Sequence, residues 1–240
     1  MSNDEPFSAA HLASIARHLF TDSPPVQRHA QRLRPYICPF EVLLPYVPRG
    51  SSVLDIGCGS GLFLGLLAAT GAQIRGIGID TSERAIACAQ LMVRRLRGQF
   101  DGDLTFLRVD HHSSWPGQEF DVVSMIDVMH HVPQAQQRGF LEQALALVKA
   151  GGVLVYKDMC MVPHWRAAAN RLHDLLMAGE HIHYFPIRCV ESTLIRAGFQ
   201  MEVARDVVRF WYGHELRVFR APAQGKAEAS TNMGKRTQPA

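Results

Sequence analysis

The sequence predicts an α/β fold with a mostly parallel sheet and helices on both of its faces. From residue 52 onward, short apolar runs of strand length alternate with longer segments whose apolar residues recur at helical spacing. Such an alternation is typical of strand–helix–strand units, which place helices on both faces of a parallel sheet. The chain has 240 residues and is 47% hydrophobic, so it can bury one full core.

Seven segments predict strands, and the segments between them predict helices. We expect helices in GLFLGLLAAT before Gly71, after Thr81 or Ser82, in PQAQQRGFLEQALALVKAGG, and near residues 187–197. The predicted strands, in chain order, are SVLDI, AQIRGIGID, LTFLRVD, FDVVSMID, GGVLVYKD, QMEVARDVVRF and GHELRVFRA. Sheets of this type place ligands beyond the carboxyl ends of their strands.

The segments outside this alternation predict the domain organisation. Residues 1–49 contain helix-like pieces broken by prolines and predict a helical N-terminal cap. Residues 50–221 form the predicted sheet domain, with a lid insertion at about 159–190 after the fifth strand. Residues 222–240 lack aromatic and β-branched runs, which predicts a disordered tail.

Composition and charge disfavour several classes of function. The 25 basic and 22 acidic residues nearly balance, and the absence of a basic stripe argues against a nucleic-acid partner. The start resembles no signal peptide, and the longest apolar stretch is too short for stable membrane insertion. Five scattered cysteines without zinc-ligand spacing favour a cytoplasmic protein with reduced thiols and no metal. The sequence does not indicate an oligomeric state.

A glycine-rich turn follows the first predicted strand, in the stretch VLDIGCGSG at residues 53–61. Its glycines stand at 57, 59 and 61, whereas a dinucleotide-binding loop has its third glycine where Leu62 stands. The pair Leu62-Phe63 rules out a P-loop, which requires Lys-Ser/Thr there. Asp55 would repel a pyrophosphate and attract a cation. The loop therefore favours a cationic ligand.

This stretch resembles motif I of class I S-adenosylmethionine (SAM) methyltransferases, an acidic residue followed by glycines at every second position. The stretch FDVVSMIDVMHHVP is similar to motif IV in the quinone-biosynthesis branch of that family. The resemblance implies a Rossmann-like, seven-stranded fold and SAM as the cofactor, whose sulfonium and ammonium groups suit an acidic residue near the loop.

The resemblance also implies which residues bind the cofactor. Asp80 and Asp110 end the second and third strands, where the family binds the ribose hydroxyls and the adenine amino group. Asp127 and His131 fall beside the methionine portion of SAM. The full expected set is Asp55, Gly57, Cys58, Gly59, Gly61, Asp80, Thr81, Asp110, His111, Ile126, Asp127 and His131.

Methyl transfer to an oxygen gains from a base, because a phenol has a pKa of about 10. His130 is the preferred candidate. His131 is the second, although it is common in relatives and also fits a role in shaping the SAM pocket. Acceptor contacts are expected from aromatic and titratable residues of the cap and lid, unless the lid is only a packed helix with exposed histidines. These residues are Tyr36, His164, Trp165, His173, His183 and Tyr184.

The predicted function is transfer of a methyl group from SAM to a hydroxyl of a small molecule. An N- or C-methyltransferase and a non-catalytic SAM-binding protein stay open as alternatives, whereas the glycine spacing argues against a nicotinamide-dependent dehydrogenase. No Asn/Asp-Pro-Pro-Tyr/Phe motif follows the fourth strand, which disfavours methylation of nucleic-acid bases. The pair His181 and His183 suits a metal, but no third ligand is apparent.

Overall fold

The computed structural model describes residues 7–109, 115–160, 183–210 and 212–223. Within them one seven-stranded sheet has the order β3-β2-β1-β4-β5-β7-β6. The strands are β1 (Ser52–Ile56), β2 (Arg75–Asp80), β3 (Asp103–Arg108), β4 (Phe120–Ile126), β5 (Val148–Met159), β6 (Gln200–Arg209) and β7 (Tyr212–Arg220). Each predicted strand is present.

The first five strands are parallel to their neighbours, and β7 is inserted antiparallel between β5 and β6. The predicted mostly parallel, seven-stranded sheet is confirmed. The chain runs outward from β1 to β3 and then returns to place β4 on the other side of β1. The carboxyl ends of β1 and β4 therefore mark the point where strand order reverses, the usual place for a ligand in such sheets.

Seven α-helices are described, three of them before the first strand. Ser82 caps the N-terminus of the fifth helix, because its side-chain oxygen accepts a hydrogen bond of 3.2 Å from the Ala85 N–H. The helices are α1 (Ala9–Leu19), α2 (Pro25–Ile37), α3 (Phe40–Leu43), α4 (Leu62–Ala69), α5 (Glu83–Leu96), α6 (Gln137–Ala146) and α7 (Ile187–Arg196). Short 3₁₀ helices lie at Leu44–Tyr46 and Met129–His131.

The helix predicted from PQAQQRGFLEQALALVKAGG is shorter than expected. It covers only Gln137–Ala146, because Val148 already pairs with Phe120 of β4 and belongs to β5. The apolar residues at the end of this segment thus serve a strand, since a buried strand and a buried helix turn look alike over so few residues.

Successive strand residues point to opposite faces of the sheet, so their apolar side chains pack in two cores, one on each face. On one face, Val53 and Val155 pack with residues of α1, α3, α4 and α5. On the other face, Leu54 and Leu154 pack with α6 and α7. The described part of the predicted N-terminal cap thus shares a core with the sheet. The predicted domain boundaries at residues 49/50 and 221/222 stay predictions. No described helix combines the length and apolar composition that crossing a bilayer requires.

Candidate cofactor and acceptor site

The glycine loop leaves β1 and turns directly into α4. Gly57, Gly59 and Gly61 all have positive φ angles, of 71°, 54° and 79°, which glycine adopts without steric cost. The N–H groups of Gly57 and Cys58 donate to the Ile79 carbonyl of β2, at 2.8 and 3.0 Å. The loop is therefore fixed to the neighbouring strand.

The three glycines differ in what lies beside them. A Cβ added at Gly57 would lie 2.3 Å from a methyl carbon of Val128, and one at Gly61 would lie 2.6 Å from the Phe106 ring. A Cβ at Gly59 would meet no atom of the described residues within 4 Å. Gly57 and Gly61 are thus required by packing, whereas Gly59 leaves the loop backbone open to a ligand.

The Asp80 carboxylate lies at the end of β2, opposite this opening. Its Oδ2 accepts a hydrogen bond of 2.8 Å from the Gly59 N–H, and its Oδ1 accepts one of 2.8 Å from the Ser82 N–H. Each carboxylate oxygen has a second lone pair, so both oxygens retain the capacity to accept a hydroxyl. The neighbouring Thr81 is exposed.

Asp55, which the sequence predicts beside the cofactor, is a buried residue. Only 2% of its surface is exposed, and its Oδ1 accepts a hydrogen bond of 2.7 Å from the Ser124 hydroxyl on β4. Burial raises the pKa of Asp55 to about 7, although the Ser124 bond opposes this shift. The side chains of Cys58 and Ile126, also expected at the cofactor, are buried in the core.

Asp127 holds two basic side chains at the end of β4. Its Oδ1 lies 2.5 Å from Lys157 Nζ of β5, and its Oδ2 lies 3.1 Å from Arg34 Nη2 of α2. The Lys157 side chain is fully buried. Burial alone would raise the pKa of Asp127, but Lys157 and Arg34 outweigh it and hold that pKa well below its ordinary value. Asp127 also has a φ of 54°, unusual for a residue other than glycine.

A second polar pair lies beyond β4, between His130 and Asp158. His130 Nδ1 lies 2.5 Å from Asp158 Oδ1, and the His130 backbone N–H donates to Asp158 Oδ2 at 3.2 Å. Both side chains are more than nine-tenths buried. Lys157 and Asp158 are successive strand residues, so they point to opposite faces of the sheet. Asp127, Lys157 and Arg34 form one group of charged residues, the Asp127 cluster. The structure thus separates this cluster from the His130–Asp158 pair.

The described residues in the second half of the predicted lid segment contact the same region. The His183 N–H donates to the His130 carbonyl at 2.8 Å, and the His183 carbonyl accepts from Gln137 Nε2 at 2.5 Å. Tyr184 packs in a small apolar cluster whose members come from four segments of the chain. That cluster comprises Ile37, Met159, Tyr184 and Tyr212. The ring of His131, which is exposed, lies 4.2 Å from the ring of His130.

Five of the predicted site residues lie outside the described residues: Asp110, His111, His164, Trp165 and His173. Tyr36 is 39% exposed on α2, two positions beyond Arg34. Four polar residues of this region were not predicted from the sequence: Arg34, Ser124, Lys157 and Asp158. A signal for the last two was present, because two charged residues end the otherwise apolar strand GGVLVYKD.

Comparison with known protein families gives the same assignment as the glycine loop. Residues 27–203, well over half of the chain, match the family described as methyltransferase domain. The chain belongs to this methyltransferase family. The family predicted from motif I is confirmed.

Curated methyltransferases are similar in sequence to part of the chain. Ubiquinone biosynthesis O-methyltransferase of Azoarcus sp. (strain BH72) is 34% identical over 110 residues, which cover 46% of this chain and 45% of that protein. The chain therefore spans about half the length of this curated relative.

Solved structures of methyltransferases share the fold. Magnesium protoporphyrin IX methyltransferase from Synechocystis PCC 6803, solved with S-adenosylhomocysteine bound, superposes with a TM-score of 0.64 at 18% identity. The match covers 87% of this chain and 93% of that one. A SAM-dependent methyltransferase from Methanosarcina mazei gives a TM-score of 0.60 at 22% identity, over 76% and 98% of the two chains. The predicted Rossmann-like methyltransferase fold is confirmed.

Proposed function

We propose that this protein transfers a methyl group from SAM to a hydroxyl group of a small molecule. The observation that carries the proposal is the glycine loop, which is open to a ligand at Gly59 and has the Asp80 carboxylate beside that opening. The Asp80 carboxylate suits a ligand that has ribose hydroxyls and a cationic group, and the open backbone at Gly59 allows such a ligand to approach closely. The family match to methyltransferases supports the same cofactor.

The residues at the strand ends fit the parts of SAM. Asp80 accepts the ribose hydroxyls, and Gly59 allows close approach to the backbone. The methionine portion of SAM carries an ammonium group and a carboxylate. Asp127 and Arg34, which form an ion pair, offer the opposite charge to each of these groups, and the exposed His131 lies nearby. Asp110 and His111 keep their predicted roles near the adenine. When bound, SAM supplies an electrophilic methyl group.

His130 acts as the base toward the acceptor hydroxyl, and Asp158 positions it. With its proton on Nδ1, the imidazole donates to the Asp158 carboxylate at 2.5 Å, which places the basic lone pair on Nε2. The buried carboxylate also stabilises the imidazolium that forms when Nε2 takes the hydroxyl proton. This pair favours an oxygen acceptor, as does the resemblance to O-methyltransferases of ubiquinone biosynthesis.

The acceptor is a small molecule rather than a nucleic acid, because the charge of the chain is nearly balanced. Tyr36, His183 and Tyr184 border its place, and the predicted contacts of His164, Trp165 and His173 belong to the same proposal. The scattered cysteines support a cytoplasmic location.

Calorimetric titration with SAM, S-adenosylhomocysteine and NADH tests the cofactor. We expect micromolar binding of the first two compounds and none of NADH. Incubation with SAM carrying a labelled methyl group then tests the acceptor atom, with phenols and the matching anilines offered in parallel. Binding of NADH alone contradicts the cofactor assignment, and labelling of anilines alone contradicts the oxygen acceptor.

A further inference from the structure

His214 on β7 is a buried histidine that the proposed mechanism does not use. Only 2% of its surface is exposed, and neither ring nitrogen makes a hydrogen bond of ordinary geometry with a described residue. The nearest backbone contact of the ring is a weak one with Ile37. Buried polar groups without partners destabilise the folded state, so native proteins contain few of them, and those few often serve a function.

The position of His214 places it between the cofactor region and the apolar cluster. It pairs directly with Met159 across the β5–β7 ladder, so both side chains lie on the face that Lys157 also occupies. Its ring stacks on that of Tyr212, with centroids 6.3 Å apart and planes 21° apart. Met159 and Tyr212 in turn pack against Ile37 and Tyr184.

Burial, assisted by the nearby cations, keeps the His214 ring neutral. Burial lowers the pKa of His214 to about 3, and Lys157 and Arg34 lower it further, whereas Asp127 and a weak hydrogen bond to the Ile37 backbone oppose the shift. A neutral imidazole has one N–H donor and one acceptor nitrogen. That combination complements a hydroxyl group, which both donates and accepts, better than it complements a charged group.

We propose that His214 is a recognition residue of the acceptor subsite, where its ring hydrogen-bonds a neutral hydroxyl group of an aromatic acceptor that lies against Met159, Tyr184 and Tyr212. The inference rests on the proposed function, because the subsite adjoins the Asp127 cluster assigned to the cofactor. Because the Ile37 backbone contact is weak and involves one ring nitrogen at most, a hydrogen bond from the acceptor then satisfies a ring nitrogen that has no hydrogen bond of ordinary geometry to a described residue.

The variants His214→Leu and His214→Asn test this role, with exposed His11→Leu as the matched control. If the ring is unpaired in the protein, His214→Leu raises the Tm of the ligand-free protein by about 2–4 °C, the shift expected when a moderate burial penalty is removed from a domain of this size. The control leaves the Tm unchanged. A lower Tm for His214→Leu, beyond that of the control, shows that the ring is satisfied within the protein and overturns the inference.

Equilibrium dialysis with 2-naphthol and naphthalene measures recognition of the hydroxyl, with the protein saturated with S-adenosylhomocysteine. The wild-type protein should prefer 2-naphthol by about 3- to 10-fold more than the leucine variant does, the effect of one hydrogen bond. His214→Asn should keep part of the preference, since an amide also donates and accepts. An equal preference in wild type and His214→Leu overturns the inference. Failure of the wild type to bind S-adenosylhomocysteine contradicts the proposed function instead, and the Tm comparison still tests His214.

Discussion

Asp80 Oδ2 accepts a hydrogen bond of 2.8 Å from the Gly59 N–H, so the end of β2 fixes the glycine loop where its backbone faces open space. In the proposed function, this carboxylate has two tasks: it holds the loop, and it accepts the ribose hydroxyls of the cofactor. Both tasks depend on its charge, because charge-assisted hydrogen bonds are the stronger ones.

Substitution Asp80→Ala should weaken binding of S-adenosylhomocysteine by about 10- to 100-fold, since hydrogen bonds to a charged group contribute about 1.5–3 kcal/mol each. Calorimetric titration measures the change. Glu83→Ala is the control, because Glu83 lies three positions away with 83% of its side chain exposed. Equal affinity of wild type and Asp80→Ala contradicts the ribose assignment.

The glycines at 57 and 59 should respond differently to alanine. Gly59→Ala adds a methyl group to open space and should cost only the left-handed backbone strain, about 1–2 kcal/mol, while weakening cofactor binding. Gly57→Ala adds the same strain and a clash with Val128, so its Tm should fall further. Thermal unfolding and titration of both variants check this. Unchanged cofactor affinity in Gly59→Ala rules out a close approach at that glycine.

His130→Gln should lower kcat by about 100-fold or more if His130 is the base, and should leave S-adenosylhomocysteine affinity nearly unchanged. Asp158→Asn should also lower kcat, because Asn no longer stabilises the imidazolium. The pH–rate profile provides a second readout: the fall in rate toward acid pH should vanish in His130→Gln. A profile identical to wild type places the base elsewhere.

Lys157→Met should destabilise the protein by about 3–5 kcal/mol, since it leaves the Asp127 carboxylate buried without its nearer cation. The double variant Lys157→Met with Asp127→Asn should recover part of this loss. Lys149→Met is a matched control, because the Lys149–Asp121 pair is about 40% exposed and should contribute less than about 1 kcal/mol. Urea unfolding measures all three. Equal losses at Lys157 and Lys149 contradict a buried ion pair.

Asp55 should make stability depend on pH between about 4 and 7. Its folded pKa, about 7, lies above the ordinary value of 3.8, so its protonated form favours the folded state. This contribution is fully present below pH 4 and is lost as the pH rises to 7, by on the order of 4 kcal/mol. Asp55→Asn should therefore stabilise the protein more at pH 8 than at pH 5, relative to the exposed control Asp103→Asn. A pH-independent difference contradicts the raised pKa.

The alternation of apolar runs was enough to predict the sheet, because each strand and helix shows its own period in the sequence. Asp55 followed by glycines at 57, 59 and 61 was enough to predict the family through its resemblance to motif I. The structure explains these glycines, because all three have positive φ angles. The helix before β5 was predicted too long. Apolar residues such as Leu147 and Val148 fit the end of a buried helix as well as the start of a buried strand.

Only the tertiary structure decided how each polar residue is used. In the sequence, Asp55 and Asp127 are both acids at strand ends, yet one is buried against Ser124 and the other holds Lys157 and Arg34. Their pKa values move in opposite directions because burial dominates at Asp55 and neighbouring cations dominate at Asp127. The partners come from residues far along the chain, such as Arg34 on α2. Local periodicity in the sequence therefore determined the elements, and packing between distant segments determined the chemistry.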